Sequence, residues 1–216
     1  MNIISLVAAV CFLGADAPAE EGFKSIFDGK SLEGWTIVHK HGPGYEVKDG
    51  ILVCPEKGGG NLFTTAEYGN FIFRFEFKLG PGGNNGVGIR APLQGDAAYQ
   101  GMEIQLLDDP APQYLALRPT QYTGSIYDVF GAKRGALKKT GEWNAMEIQA
   151  EGNKVKVTLN DQVIVDADIS TVTDEATLKK HPGLKNKTGH IGFLGHGTQV
   201  EFKNLRLKNL DEAAAK

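Results

Sequence analysis

The run from Phe71 to Leu79, FIFRFEFKL, constrains the fold more than any other part of this chain. Phe71, Phe73, Phe75, Phe77 and Leu79 occupy alternate positions, with Arg74, Glu76 and Lys78 between them. A period of two sends the aromatic rings to one side of an extended strand and the charges to the other, so this strand needs an apolar layer opposite it. Met146 and Ile148 before Glu151-Gly152-Asn153, and Val155, Val157 and Leu159 after it, repeat the pattern as a hairpin. Tyr45 to Cys54 around Asp49-Gly50, and Ser25 to Trp35 around Asp28-Gly29, read as two more hairpins. Gly189 to Leu194 and Gln199 to Leu207 are expected to pair last. Helical composition is confined to Ser170–His181, stopped by Pro182-Gly183, and to a fraying tail. With 28 glycines in 216 residues, these signals predict an all-β class, a two-sheet antiparallel β-sandwich with at most one or two short helices.

The length suits one core, expected over residues 23–210, with a C-terminal tail at 211–216. Asn2 to Leu13 is an apolar run of signal-peptide length followed by Ala15-Asp16-Ala17, so residues 1–17 read as a secretory signal and 18–22 as a disordered leader. The expected location is therefore secreted or periplasmic. Against this pattern, the run has no preceding Lys or Arg, and Pro18 would follow the cut. Lipidation at Cys11 fits less well, because Val10 precedes it and the apolar stretch would be short. No later segment approaches the ~20 apolar residues of a spanning helix, which argues against membrane insertion. Loss of Cys11 with the signal would leave Cys54 alone, read as a small buried apolar residue. A net charge of −3 with scattered lysines offers no field for phosphates, so no nucleic-acid partner is expected.

Strand alternation also locates candidate chemistry. Met102, Ile104 and Leu106 share one face, which groups Glu103 and Gln105 on the other. Val87 and Ile89 leave Gly86, Gly88 and Arg90 opposite; Ile126 leaves Ser125 and Tyr127; Ile191 and Phe193 leave Gly192, with His196 just beyond. If these strands are neighbours, Arg90, Glu103, Gln105, Tyr127 and His196 converge on a face that glycines keep open, a shape suited to a sugar. The alternative is an ordinary wet sheet face with an Arg90–Glu103 ion pair of little worth. Asp109 before Pro110 reads as turn chemistry, while Asp108 stays a substrate-binding candidate. Trp143, on the polar face of its strand, could stack on a sugar; Trp35 reads as core. His39, His41 and His181 read as solvated. Carboxylates with His196 could hold a divalent cation, but no close His or Cys spacing marks a metal site.

At these residues the chain resembles the DUF1080 group of 3-keto-disaccharide hydrolases, with a concanavalin A-like jelly-roll fold. FDGKSLEGW at Phe27–Trp35, YGNFIFRFEFKL at Tyr68–Leu79, NNGVGIR at Asn84–Arg90 and GMEIQLLDD at Gly101–Asp109 carry it. TGSIYDV at Thr123–Val129, GEWNAMEI at Gly141–Ile148 and GHIGFLGHG near the end complete it. Where members of that group often carry Ser-Gly-Ile-Phe, this chain has Asn85-Gly86-Val87-Gly88, a departure expected to widen the pocket.

The resemblance implies an exported enzyme cleaving glycosides already oxidised at C3. A 3-keto group acidifies the C2 proton, so such a site needs a base, an electrophile for the enolate and an acid for the leaving group. On that reading Glu103 is the base, Arg90 or a metal the electrophile, and His196 or Tyr127 the acid; Gln105, Asp108, Asn85 and Trp143 are candidates for binding the oxidised di- or oligosaccharide. Two alternatives stay open. One is a two-carboxylate glycosidase using Glu103 and Asp108, against which Gln105 stands where laminarinase-like enzymes carry an Asp. The other is a non-catalytic, lectin-like carbohydrate-binding module.

Overall fold

The computed structural model describes residues 20–214. The expected signal at 1–17 lies outside the described residues. Residues 20–22 are tied down where a loose leader was expected: Arg206 and Arg74 donate to the Glu20 carboxylate, pulling it down to about 2, and Lys208 Nζ donates to the Glu21 carbonyl.

Two antiparallel sheets form the domain. The larger has the order β11 (Gln162–Asp168), β10 (Lys154–Leu159), β9 (Trp143–Glu151), β6 (Phe71–Leu79), β13 (Val200–Asn209), β4 (Ile51–Cys54) and β3 (Glu46–Lys48), with β1 (Lys24–Ser25) also pairing β13. The smaller runs β2 (Trp35–His41), β5 (Gly59–Thr64), β12 (His190–His196), β7 (Asn84–Ala91) and β8 (Met102–Leu107). Short helices α1 (Ala97–Gln100), α2 (Glu175–Lys180) and α3 (Leu210–Ala214) sit between or after strands.

The alternation in β6 is realised: its four phenylalanines are at most 1% exposed. They meet the inner face of the small sheet through Phe193, whose ring stacks on Phe202 at 3.9 Å and meets Phe75 edge-on at 5.8 Å. Trp35 lies nearly parallel to Phe193 with ring centroids 6.0 Å apart and donates its indole N–H to the Ile26 carbonyl, as a core residue should. The hairpins β3–β4 and β9–β10 form as expected, and Cys54 is buried.

Two expected pairings do not form. β1 and β2 lie in different sheets, and so do β12 and β13, whose connecting turn crosses the sandwich. Local turn chemistry fixes where the chain reverses; which sheet the next strand joins depends on distant partners, such as Leu79 for Val200 and Phe63 for Gly192.

Candidate active site

The strand adjacency assumed from sequence is present. β8 lies against β7, and β7 against β12, with Glu103 opposite Gly88, Gln105 opposite Gly86, and Leu194 opposite Gly86 from the other side. Beyond β8, Ile126 bridges to Ile104, and the Tyr127 N–H donates to the Glu103 carbonyl. This register sets Tyr127 directly across from Glu103 and on the same side of the sheet. Glu103, Gln105 and Tyr127 therefore share the outer face of the small sheet, and His196 joins them from the end of β12.

Glu103 is 4% exposed, and its Oε1 has no hydrogen-bond partner among the described residues. The nearest cation is His196, whose Nε2 is 4.0 Å from that oxygen with its side chain half in solvent. Burial pushes the Glu103 carboxyl above its ordinary range; His196 opposes this and the charge of Asp96 adds to it. In return the Glu103 carboxylate raises the His196 imidazole, helped by Asp96. The carboxyl reaches this position because residue 86 is glycine: a Cβ there would stand 1.9 Å from Glu103 Oε1.

The other glycines serve a different purpose. Phe63 of β5 faces Gly192, which faces Gly88, and a Cβ would meet its ring at 2.5 Å from Gly192 and 3.1 Å from Gly88. The space above both belongs to this phenylalanine, packed with Leu194, Ala91 and Ala97. Gly88 therefore makes room for Phe63 and does not widen the pocket, and the space over Gly86 is taken by the Glu103 carboxyl.

Four candidates are placed elsewhere. Arg90 does not reach Glu103. Its backbone has φ +47, which breaks the strand's alternation, and its guanidinium is buried, donating to the carbonyls of Gly69 (3.0 Å) and Gly152 (2.8 Å). Asn85 faces the core and donates to Tyr45 Oη. Asp108 accepts from the Gly82 N–H and the Thr140 hydroxyl, which makes it a loop anchor. Trp143 lies on the large sheet, its ring covered by Lys203 Nζ at 4.2 Å and Lys78 Nζ at 5.0 Å.

Sequence reasoning missed part of the wall. Asp96 caps α1 by accepting from the Ala98 N–H, and Tyr99 follows within the same helix. Tyr99 meets the His181 ring at 4.9 Å, tilted by 48°, and carries Lys180 Nζ 5.5 Å above its own. His181, expected in solvent, is 2% exposed and held towards its neutral form by burial. His41 lies on β2 and shares Gly59 with His196 as cross-strand neighbour. An Asp capping a four-residue helix carries no sequence signal beyond an ordinary turn. Among the described residues no group of three or more His, Cys, Asp and Glu is arranged to hold a metal ion.

The sequence signature of the 3-keto-alpha-glucoside-1,2-lyase-like domain matches residues 22–208. The chain belongs to this family. A 3-keto-disaccharide hydrolase of Bacteroides thetaiotaomicron is 26% identical to it over 88% of this chain and 79% of that protein. The crystal structure of a Parabacteroides distasonis protein described as a "putative glycosyl hydrolase" superposes with a TM-score of 0.75 at 28% identity, covering 87% of this chain and 98% of that one. The carbohydrate-binding module CBM66 of Bacillus subtilis shares the fold alone, at 14% identity and a TM-score of 0.51 over 80% of this chain and 94% of that one. Family membership supports a carbohydrate-active role for the chain.

Proposed function

We propose that the protein cleaves 3-keto-glycosides by removing the C2 proton, eliminating the C1 substituent and then adding water. The observation that carries this reading is the Glu103 carboxyl, buried, with an Oε1 that has no hydrogen-bond partner among the described residues and faces His196 Nε2 at 4.0 Å, and raised in pKa by that burial. A carboxylate of that kind is a stronger base than one in water, as abstraction of a carbon-bound proton requires. His196, shifted towards its protonated form, supplies positive charge for the enolate oxygen in place of Arg90. Tyr127, across from Glu103, is the proton donor to the leaving oxygen.

A two-carboxylate glycosidase fits less well. It needs two carboxyl groups about 5–9.5 Å apart flanking the bond. Asp108 is committed to Gly82 and Thr140, which leaves Asp96 as the carboxylate that acts on Glu103. The test offers purified protein a 3-keto-glucoside and its unoxidised parent, with chelator and with added divalent cations. Cleavage of the keto substrate alone is expected. Cleavage of the parent would favour the two-carboxylate mechanism, and binding of glycans without turnover would favour a lectin-like module.

On the same reading the enzyme works outside the cytoplasm after removal of residues 1–17. N-terminal sequencing of protein recovered from a secreting host should then begin at Pro18; an intact Met1 would overturn export.

A further inference from the structure

Tyr127 has a neighbour that decides which way its proton points. Gln121 ends the short 3-10 turn Pro119–Gln121. Its side-chain oxygen accepts from the Arg118 backbone N–H at 3.1 Å and from Arg118 Nε at 3.3 Å. Arg118, a largely exposed side chain, pairs through Nη2 at 2.5 Å with Oδ1 of Asp128, a carboxylate 4% exposed that also pairs with Lys180. Two donors on one oxygen settle the orientation of the amide, so its nitrogen is the end that faces Tyr127 Oη at 3.0 Å.

An amide nitrogen donates and cannot accept. Tyr127 Oη therefore receives a hydrogen bond from Gln121 and cannot return its proton there. Among the described residues no acceptor takes that proton, and the register places Tyr127 across from Glu103.

We infer that Gln121 is a positioning residue that makes Tyr127 a donor to the leaving-group oxygen, an inference that rests on the 3-keto reading. Glu103 takes the C2 proton and the electron pair moves to the C3 oxygen as an enolate. When the ketone re-forms, C1=C2 forms, the C1–O bond breaks, and the departing oxygen takes the Tyr127 proton. In the second half, water attacks C1 and gives a proton to the Tyr127 phenolate while Glu103 returns its proton to C2. Both groups end as they began.

The informative change is Gln121→Glu, which keeps the shape and the Arg118 contacts but faces Tyr127 with an acceptor. The phenol then donates to the new carboxylate instead of to substrate. With a 3-keto-disaccharide, whose sugar leaving group needs a proton, kcat is expected to fall about 10²-fold with little change in KM. With a nitrophenyl 3-keto-glucoside, whose leaving group departs as an anion, the loss should shrink to about 3-fold or less. Tyr127→Phe should show the same dependence, and Gln121→Glu added to it should cost nothing more. Equal losses on both substrates, no loss, or additive losses in the double variant would each overturn the role of Gln121. If the unaltered protein turns over neither keto substrate, the 3-keto reading fails, and this inference with it.

Discussion

Glu103→Gln is expected to lower kcat on a 3-keto-glycoside by about 10²–10⁴-fold while leaving the fold intact. The amide fills the same space over Gly86 and removes only the basic oxygen. Stability should move the other way. Because burial raises the folded-state pKa of Glu103, its protonated form is the one the fold favours. That contribution is present in full below the unfolded pKa and is lost as pH rises through the folded one, so at neutral pH the ionised carboxylate weighs against folding. A neutral glutamine escapes this cost, and thermal unfolding at pH 7 should show a variant at least as stable as the parent. Lower activity together with lower stability would point to a structural role and sink the assignment. In the parent enzyme, kcat/KM should rise with pH as Glu103 ionises, above the ordinary carboxylate range, and fall as His196 loses its proton, above the ordinary imidazole range. Gly86→Ala should reproduce the loss of activity, because the added methyl occupies the position of Oε1.

The strands that were legible in the sequence are those whose pattern is local. In β6 each residue keeps the extended backbone that alternation assumes, and the β9–β10 turn brings together neighbours in sequence. The grouping of Glu103, Gln105 and Tyr127 followed from the same rule, because Ile104 and Ile126 mark which side is dry. Arg90 shows where the rule breaks: one residue at positive φ turns its side chain out of the series, and no pattern of residue types announces that. Between β8 and β9 the chain has no periodicity to read, being held by single contacts such as Thr123 donating to Asp109. Gln121 lies in that stretch. Phe63 was hidden for a third reason: the glycines that receive its ring lie on two other strands, so the fit exists only in the folded sheet.

Arg90→Met is expected to destabilise the protein by about 3–5 kcal/mol and to leave the turnover of the folded fraction unchanged. The guanidinium is 1% exposed and reaches the Gly69 carbonyl before β6, the Gly152 carbonyl at the β9–β10 turn and, at 3.5 Å, the carbonyl of Asn186. Asn186 in turn donates to the carbonyls of Arg90 and Gln100. One side chain thus joins the end of the small sheet to two loops of the large one. Methionine matches much of the stem but leaves these carbonyls without their donor, at about 1–3 kcal/mol for each one that stays buried. Removing the charge offsets part of this, since burial works against the charged form and already lowers the Arg90 pKa. Lysine should recover only a part, because an ammonium lacks the planar fork that spans separated acceptors. Urea unfolding gives the stability, and kcat per active site, measured where all variants are folded, gives the function. A fall in kcat with an unchanged urea midpoint would return Arg90 to the enolate; a lower midpoint with kcat preserved fixes it as the tie between the sheets, and leaves His196 as the cation that faces Glu103.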